Sequence, residues 1–207
     1  LIMSFVLRSS LQRSSLMALV ESASIFCETI LTDRALEAAD RGKRLALLEA
    51  DLQGACQVVV DIRSRFLFES RLFARRASST VPARELSELM REAQVEAYGD
   101  GLDPDELHPL MWAAKPHYYG STFYNWPYTF GLLFGLGLYA RWLDDADGFR
   151  SAYTDMLSST GVETAAQLAG RFGIDVGDQA FWTASLDVIR GRIDDFCAAA
   201  GEPPVVG

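Results

Sequence analysis

The stretch that decides the fold runs from Lys115 to Trp142 and reads KPHYYGSTFYNWPYTFGLLFGLGLYARW. It is richer in aromatic and small residues than any other segment, and it holds His117, one of two histidines, and five of the seven tyrosines, four of them between Tyr118 and Tyr128. This pattern predicts a polar-aromatic loop that leads into a helix over Pro127–Leu143. A tyrosine ring can pack while its hydroxyl still donates a hydrogen bond, so such a loop suits the handling of a polar substrate.

The helix predicted after this loop is apolar on nearly every side, which is typical of a helix buried in a core. Gly131 and Gly135 lie four residues apart on one of its faces. Glycines weaken a helix, and without side chains they let a neighbouring helix come unusually close. We therefore expect close helix packing at this face.

Helical periodicity also dominates the rest of the chain, and no segment reads convincingly as a strand. We expect an all-α fold, a multi-helix bundle that forms a single domain over residues 1–207, with a frayed tail at 202–207. The other helices are predicted at approximately Leu16–Leu31, Arg34–Ala74, Ala83–Tyr98, Asp103–Trp112, Asp147–Leu157, Val162–Arg171 and Gln179–Ala200.

The long helix predicted over Arg34–Ala74 carries apolar residues in a three-four alternation, which is typical of packing against an antiparallel neighbour. Gly42 and Gly54 favour a kink or break inside it. Its inward face is predicted to hold Leu45, Leu48, Leu52, Ala55, Val59, Ile62 and Phe66. Its opposite face is predicted to hold Arg44, Glu49, Asp61, Arg63 and Arg65.

Composition narrows the class of protein. A net charge of −9 and a pI near 4.7 argue against nucleic acid or an anionic membrane surface as a partner. No apolar run reaches the ~20 residues that a membrane-spanning helix needs. Cys27, Cys56 and Cys197 are widely spaced and odd in number, which indicates neither a disulfide framework nor a metal knuckle. We expect a reducing compartment, the cytoplasm.

Two groups of residues indicate more than the packing of a helical bundle. Glu21 and Glu28 lie seven residues apart, on one stripe of a helix, and acids beside a buried face need a partner or a role. With the loop that carries His117, they are consistent with a metal or acid–base site, or with solvated acids and aromatic packing. The second histidine, His108, has no neighbours at ligand spacing and is predicted to lie at the surface or a helix end.

Two motifs give the chain a family resemblance. The segment LMALVESASIFCET, residues 16–29, resembles the segment around the third zinc ligand of oligoendopeptidase F, a zinc peptidase of the thimet oligopeptidase superfamily. The segment KPHYYGSTFYNWPYTFG, residues 115–131, resembles the substrate-binding His-Tyr loop of that family. The resemblance follows nearly the whole chain in order, and it implies the C-terminal half of a helical, zincin-type catalytic domain.

The resemblance also implies roles for individual residues. Glu21 corresponds to the glutamate that ligates zinc, and Glu28 to an acid that orients a zinc-bound histidine. His117 and Tyr124 correspond to the pair that contacts the substrate carbonyl and stabilises the oxyanion. Tyr119 and Tyr128 are further candidates for that set, and each either lines the cleft or packs.

One departure from the family is decisive. Its His-Glu-x-x-His motif, which supplies two zinc ligands and the general base, occurs nowhere in these 207 residues. A catalytic zinc site needs about three protein ligands, and the matched segment supplies only Glu21; a makeshift site from Glu21, His117 and His108 is disfavoured. The family's order places the motif just before Leu1. We therefore expect a truncated or split peptidase for short peptides that is inactive as this chain and binds zinc weakly.

Other interpretations stay open at this stage. The chain could be a non-catalytic helical subunit that binds peptides or complements a partner carrying His-Glu-x-x-His, or a decayed remnant without activity. If the chain is a truncated or split peptidase, the lost part would normally cover one side of the core. We then expect an exposed apolar face that promotes homo-oligomers.

Overall fold

The computed structural model describes residue 22, residues 24–159 and residues 164–203. The regular elements of these residues are all helical, with no strand among them, so the all-α prediction is confirmed. The helices are α1 (residues 24–38), α2 (Arg41–Cys56), α3 (Ile62–Arg76), α4 (Ala83–Tyr98), α5 (Met111–Ala114), α6 (His117–Gly120), α7 (Trp126–Asp144), α8 (Ala146–Ser159), α9 (Ala165–Arg171) and α10 (Gln179–Ala200). A π-helical turn over Gln57–Asp61 joins α2 to α3. Among the described helices, none is long and apolar enough to cross a bilayer.

The chain divides into two compact units. One, the terminal unit, comprises the described parts of Leu1–Gln53 and Phe130–Gly207. Its core is built from aromatic and aliphatic side chains of α1, of α7 to α10 and of the segment between α9 and α10. These are Phe26, Phe134, Leu138, Tyr139, Phe149, Leu168, Ala169, Ile174 and Phe181. The ring of Phe26 lies 5.1 Å from that of Phe149 between centroids, and Phe134 lies 5.7 Å from Phe181.

Glycines on α7 allow two other helices of the terminal unit to approach closely. A Cβ atom on Gly135 would lie 3.0 Å from the carbonyl oxygen of Ser22 and 2.9 Å from the side chain of Ile25. The close approach predicted at Gly135 is therefore confirmed. A Cβ atom on Gly137 would lie 2.4 Å from the ring of Phe181 on α10, a contact that the sequence did not predict.

An arginine ties α10 to the first two helices of the terminal unit. Arg192 pairs with Asp33 on α1, and its Nε lies 3.7 Å from Oδ2 of Asp51 on α2. Burial raises the pKa of Asp51, and the positive charge of Arg192 opposes that rise. The pair of acids thus shares one cation.

The other unit, the central unit, comprises Gly54–Thr129. Here α3 packs on α4 around Phe68, Met90 and Ala93, which are buried. The buried amide of Gln94 on α4 holds the following loop: its Nε2 donates to the carbonyl oxygen of His108 at 2.9 Å, and its Oε1 accepts from the backbone N–H of the same residue at 2.9 Å. The His108 side chain is exposed.

Several helix boundaries agree with the sequence. Helix α4 begins after Pro82 and ends at Gly99, whose φ of +58° favours glycine. Helix α10 spans the predicted residues and ends at Gly201 with φ of +88°. Strong end signals at both termini explain this agreement.

The segment predicted as one long helix over Arg34–Ala74 is broken, although not at Gly42 or Gly54, which both lie inside α2. Residues 34–38 belong to α1, and the helix is interrupted at Ala39 and Asp40. A carboxylate oxygen of Asp40 accepts from the backbone N–H of Lys43 at 2.9 Å and so caps a new helix, α2. The apolar pattern continues across this break, which is why periodicity did not detect it.

The faces predicted for the long helix are also partly wrong. Phe66 was expected inside but is 47% exposed, whereas Asp61 and Arg65, expected on the opposite face, are buried. The π-helical turn at Gln57–Asp61 has more residues per turn than an α-helix. A heptad count carried across it therefore loses the buried face. On α10 the buried residues are Phe181 and Ser185, while Leu186 is 39% exposed.

Two shorter helices differ from prediction as well. No helix starts at Asp103, because its carboxylate accepts from the backbone N–H of Asp105 at 2.9 Å and forms a local turn instead; only α5 follows. Helix α9 is capped by Thr164 with Gln167, and residues 160–163, which include the predicted start at Val162, lie outside the described residues. Residues 16–21 of the first predicted helix and 204–207 of the predicted frayed tail also lie outside them.

Candidate functional site

The loop between α5 and α7 is folded into a defined shape in the central unit. Helix α6 forms its first turn, Ser121 is extended, and Phe123 has φ of +49°, unusual for a residue with a side chain. The backbone N–H of Phe123 donates to Oε1 of Glu69 on α3 at 3.0 Å. A tertiary hydrogen bond thus holds a backbone conformation that Phe123 would not favour alone.

Three of the predicted site residues come together in this loop. The imidazole of His117 stacks on the ring of Tyr124, with centroids 4.5 Å apart and planes 5° from parallel. Tyr128 follows one helical turn later, its ring 6.1 Å from that of Tyr124, and its hydroxyl donates to the Tyr124 hydroxyl at 3.5 Å. All three side chains are half-buried, so the cluster of His117, Tyr124 and Tyr128 can be reached by a ligand.

Tyr119 lies apart from that cluster. Its side chain is 67% exposed, and its hydroxyl donates to the carbonyl oxygen of Trp112 at 3.0 Å. The neighbouring Tyr118 packs its ring edge-on against Phe68 at 5.2 Å, and burial raises the pKa of its hydroxyl. Neither tyrosine contributes to the stack on His117.

The structure does not show a metal site at Glu21 and Glu28, the two acids to which the resemblance gives roles there. Glu21 lies outside the described residues, and Glu28 is an exposed residue of α1 in the terminal unit. Within the part of the chain that the structure describes, no group of three or more His, Cys, Asp or Glu side chains could hold a metal ion. The described residues therefore do not by themselves fit the zinc ion of the family.

A buried polar cluster beside the loop was missed by the sequence analysis. Arg65 on α3 pairs with Asp61, one turn earlier, and its Nη1 donates to Oδ1 of Asn125 at 3.3 Å. All three residues are at most 7% exposed. Burial raises the pKa of the adjoining Tyr98 to about 12, and the negative charge of Asp61 adds to the rise.

The same helix contacts the loop on both sides of Tyr124. Arg65 bonds to Asn125, and Glu69, one turn further along α3, accepts from Phe123. Burial raises the pKa of Glu69, and the Phe123 N–H partly offsets this by stabilising the carboxylate. Two buried charged residues of α3 therefore fix the position of Tyr124.

A sequence signal for this cluster does exist. Asp61 and Arg65 have opposite charge and i,i+4 spacing, which places them side by side on a helix. Such a pair is usually solvated, so the spacing alone does not indicate burial. Asn125, the third member, comes from the loop, and only the tertiary fold brings it to Arg65.

Comparisons with known proteins agree with this fold. The model of Peptidase family M3 matches residues 8–188. The crystal structure of oligoendopeptidase-F from Enterococcus faecium superposes with a TM-score of 0.80 at 21% identity, over 93% of this chain and 37% of that one. At this identity the likeness concerns the fold, and the chain spans well under half of that protein's length. No curated protein matches the chain by sequence.

Proposed function

Because the chain belongs to Peptidase family M3, as the match over residues 8–188 shows, we propose that it is the C-terminal part of a zinc-dependent, oligoendopeptidase F-like enzyme that hydrolyses short peptides. The observation that carries the proposal is the stack of His117 on Tyr124, with Tyr128 one turn away. This is the loop whose sequence resembles the substrate-binding loop of that family.

The chemistry of the cluster supports a role in binding a peptide carbonyl. The hydroxyl oxygens of Tyr128 and Tyr124 lie 3.5 Å apart, and with Tyr128 as the donor the proton of Tyr124 is available to a ligand. His117 can offer a second N–H donor from the ring stacked on Tyr124. Two positioned donors stabilise the negative charge that develops on a carbonyl oxygen when the peptide bond is attacked.

We further propose that this chain needs a second segment before it can hydrolyse anything. It has no His-Glu-x-x-His motif, and its described residues hold no group that fits a metal ion. The completing segment would carry that motif, either in the same polypeptide or in a partner chain. Glu21 would join it as a metal ligand, with Glu28 as the acid that orients a histidine.

Reconstitution tests this function. The chain is mixed or co-expressed with a segment that carries His-Glu-x-x-His, and cleavage of a quenched fluorescent peptide is measured. We expect cleavage only when both parts are present, and we expect a chelator to abolish it. Hydrolysis by this chain alone, lost to a chelator and restored by zinc, would contradict the requirement for a second segment.

Two tyrosine variants test the role of the loop within that assay. Tyr124→Phe removes the proposed donor and should lower kcat about 10²–10³-fold. Tyr153→Phe is the matched control, because Tyr153 packs against Phe26 in the core of the terminal unit, outside the loop. Equal losses in the two variants would refute the role of Tyr124.

A non-catalytic role is the second candidate, favoured by the lack of a metal-holding group among the described residues. In that case the chain binds peptides or a partner without cleaving them, and the reconstituted pair would bind the peptide but leave it intact.

We also propose a cytoplasmic location, in keeping with three free cysteines, and a homo-oligomer formed through an exposed apolar face. Sedimentation of the purified chain tests the latter.

A further inference from the structure

A groove of about 380 Å³ opens on the central unit, apart from the stacked rings of His117 and Tyr124. Its volume lies in the range of small-molecule and side-chain pockets. Its apolar walls come from α3, α4 and the segments around them. They are Phe68, Leu72, Val81, Leu86, Trp112 and Tyr118. Trp112 is fixed in place because its Nε1 donates to the hydroxyl of Ser87 on α4 at 3.1 Å.

The rim of the groove is polar and carries one charge. Arg76, Ser79 and Thr80 line it, and Arg76 has no ion pair with any residue that the structure describes. Its neighbour Arg75, by contrast, has its Nε 2.5 Å from Oε1 of Glu85. In a chain with a net charge of −9, an arginine left unpaired beside an apolar groove is complementary to an anion.

Two backbone N–H groups of the same segment make no hydrogen bond within the part of the chain that the structure describes. The segment between α3 and α4 is irregular, and the N–H groups of Thr80 and Val81 find no acceptor among the described residues. Successive free N–H groups next to an arginine form a setting in which carboxylates bind. The groove thus combines an apolar floor with donors at one end.

We propose that this groove binds the C-terminal residue of a peptide. The apolar side chain of that residue occupies the groove against Leu72, Leu86 and Trp112. Its carboxylate pairs with Arg76 and accepts from the N–H groups of Thr80 and Val81. The inference rests on the proposed function and adds to it the end of the substrate: peptides with a free carboxylate on a large apolar residue.

The groove and the site cluster share an element, which supports a common ligand. Helix α6 carries His117 in the cluster and Tyr118 in the groove wall. The Tyr118 ring faces Phe68, and the charges of Arg65 and Glu69 both act on its hydroxyl. A ligand seated on Tyr118 is therefore next to the loop that α3 holds in place.

Binding is measured with the whole 207-residue chain, by calorimetry and tryptophan fluorescence. The probes are Ala-Ala-Phe with a free carboxylate, the same peptide as its C-terminal amide, and Ala-Ala-Ser. We expect the amide and the serine peptide each to bind about tenfold more weakly or worse than Ala-Ala-Phe, since a charge-assisted hydrogen bond or a buried aromatic side chain is worth at least that factor. Equal affinity for the acid and the amide, or no binding of the acid, would overturn the proposal.

Substitutions in and outside the groove test where the peptide binds. Arg76→Gln should weaken binding of the acid about tenfold and leave that of the amide unchanged, while Arg84→Gln should change neither. Arg84 is the matched control, an exposed arginine of α4 that pairs with Glu88. Trp112→Phe should abolish the fluorescence change. If Arg76→Gln binds like the unaltered chain, or the fluorescence change persists without Trp112, the peptide lies elsewhere and the proposal fails.

Two further outcomes separate this inference from its premise. Sedimentation that shows a dimer disrupted by Trp112→Phe would mean that a second copy of the chain fills the groove, which overturns the peptide site. Binding of the acid needs no catalysis, so a reconstituted pair that fails to cleave refutes the proposed function alone. A pair that cleaves free and amidated peptides equally well refutes the groove alone.

Discussion

The buried carboxylate of Glu69 holds the loop in front of Tyr124. It is 3% exposed, and its one described hydrogen bond accepts the N–H of Phe123, the residue before Tyr124. Burial raises its pKa, so the folded protein retains the Glu69 proton at a pH where the unfolded chain has released it. The stability linked to this proton is complete below the unfolded pKa and falls as the pH rises through the folded pKa.

Glu69→Gln should therefore stabilise the protein relative to the unaltered chain as the pH rises, because glutamine keeps the acceptor and cannot ionise. Urea unfolding at about pH 5 and about pH 8 measures the difference, which should grow with pH. Glu69→Ala removes the acceptor from the Phe123 N–H and should cost about 1–3 kcal/mol. A Glu69→Gln difference that is independent of pH would show that the carboxyl titrates like that of an unfolded chain.

The ion pair of Asp61 and Arg65 predicts strong coupling between two variants. Arg65→Met leaves Asp61 buried without its cation and should cost about 3–5 kcal/mol. Adding Asp61→Asn to Arg65→Met removes the stranded charge and should restore a large part of that loss. A double-mutant cycle by urea unfolding gives the coupling energy, and additive costs would contradict a buried pair.

At the level of helices, replacing glycine by alanine is predicted to have opposite effects on stability in α7 and α10. Gly137→Ala places a Cβ atom 2.4 Å from Phe181 and 2.8 Å from the Ser185 hydroxyl, so it should destabilise the protein by about 1–3 kcal/mol. Gly191→Ala on α10 meets nothing within 4 Å and should stabilise it by about 0.5–1 kcal/mol. Thermal unfolding compares the two, and a shift of the same sign in both would refute the close packing at Gly137.

These elements also show what periodicity can and cannot predict. Helices α4 and α10 were placed correctly because Pro82, Gly99 and Gly201 mark their ends. The break in the helix predicted over Arg34–Ala74 was expected at its glycines, whereas Asp40 starts a new helix within an unbroken apolar pattern. The family model and the Enterococcus faecium structure agree with the family recognised from two motifs, which carry information that composition lacks.

The residues of the candidate site were also predicted only in part. Of the four candidates predicted in the loop, His117, Tyr124 and Tyr128 lie together, whereas Tyr119 lies apart. Arg65 and Glu69, which hold that loop, are distant in sequence and were assigned no role in it. Such contacts depend on the way α3 meets the loop, and a single sequence does not contain that information.

The molecule as a whole is expected to bind metal weakly when it is alone. It has two histidines, of which His108 is exposed, and no metal-holding group among its described residues. A ligand that binds only the folded state at 100 times its Kd stabilises a protein by about 2.7 kcal/mol. We expect neither zinc nor a chelator to shift the unfolding midpoint of this chain. A zinc-dependent stabilisation of that size, removed by a chelator and by Glu21→Gln, would mean that the chain forms a metal site without any other segment.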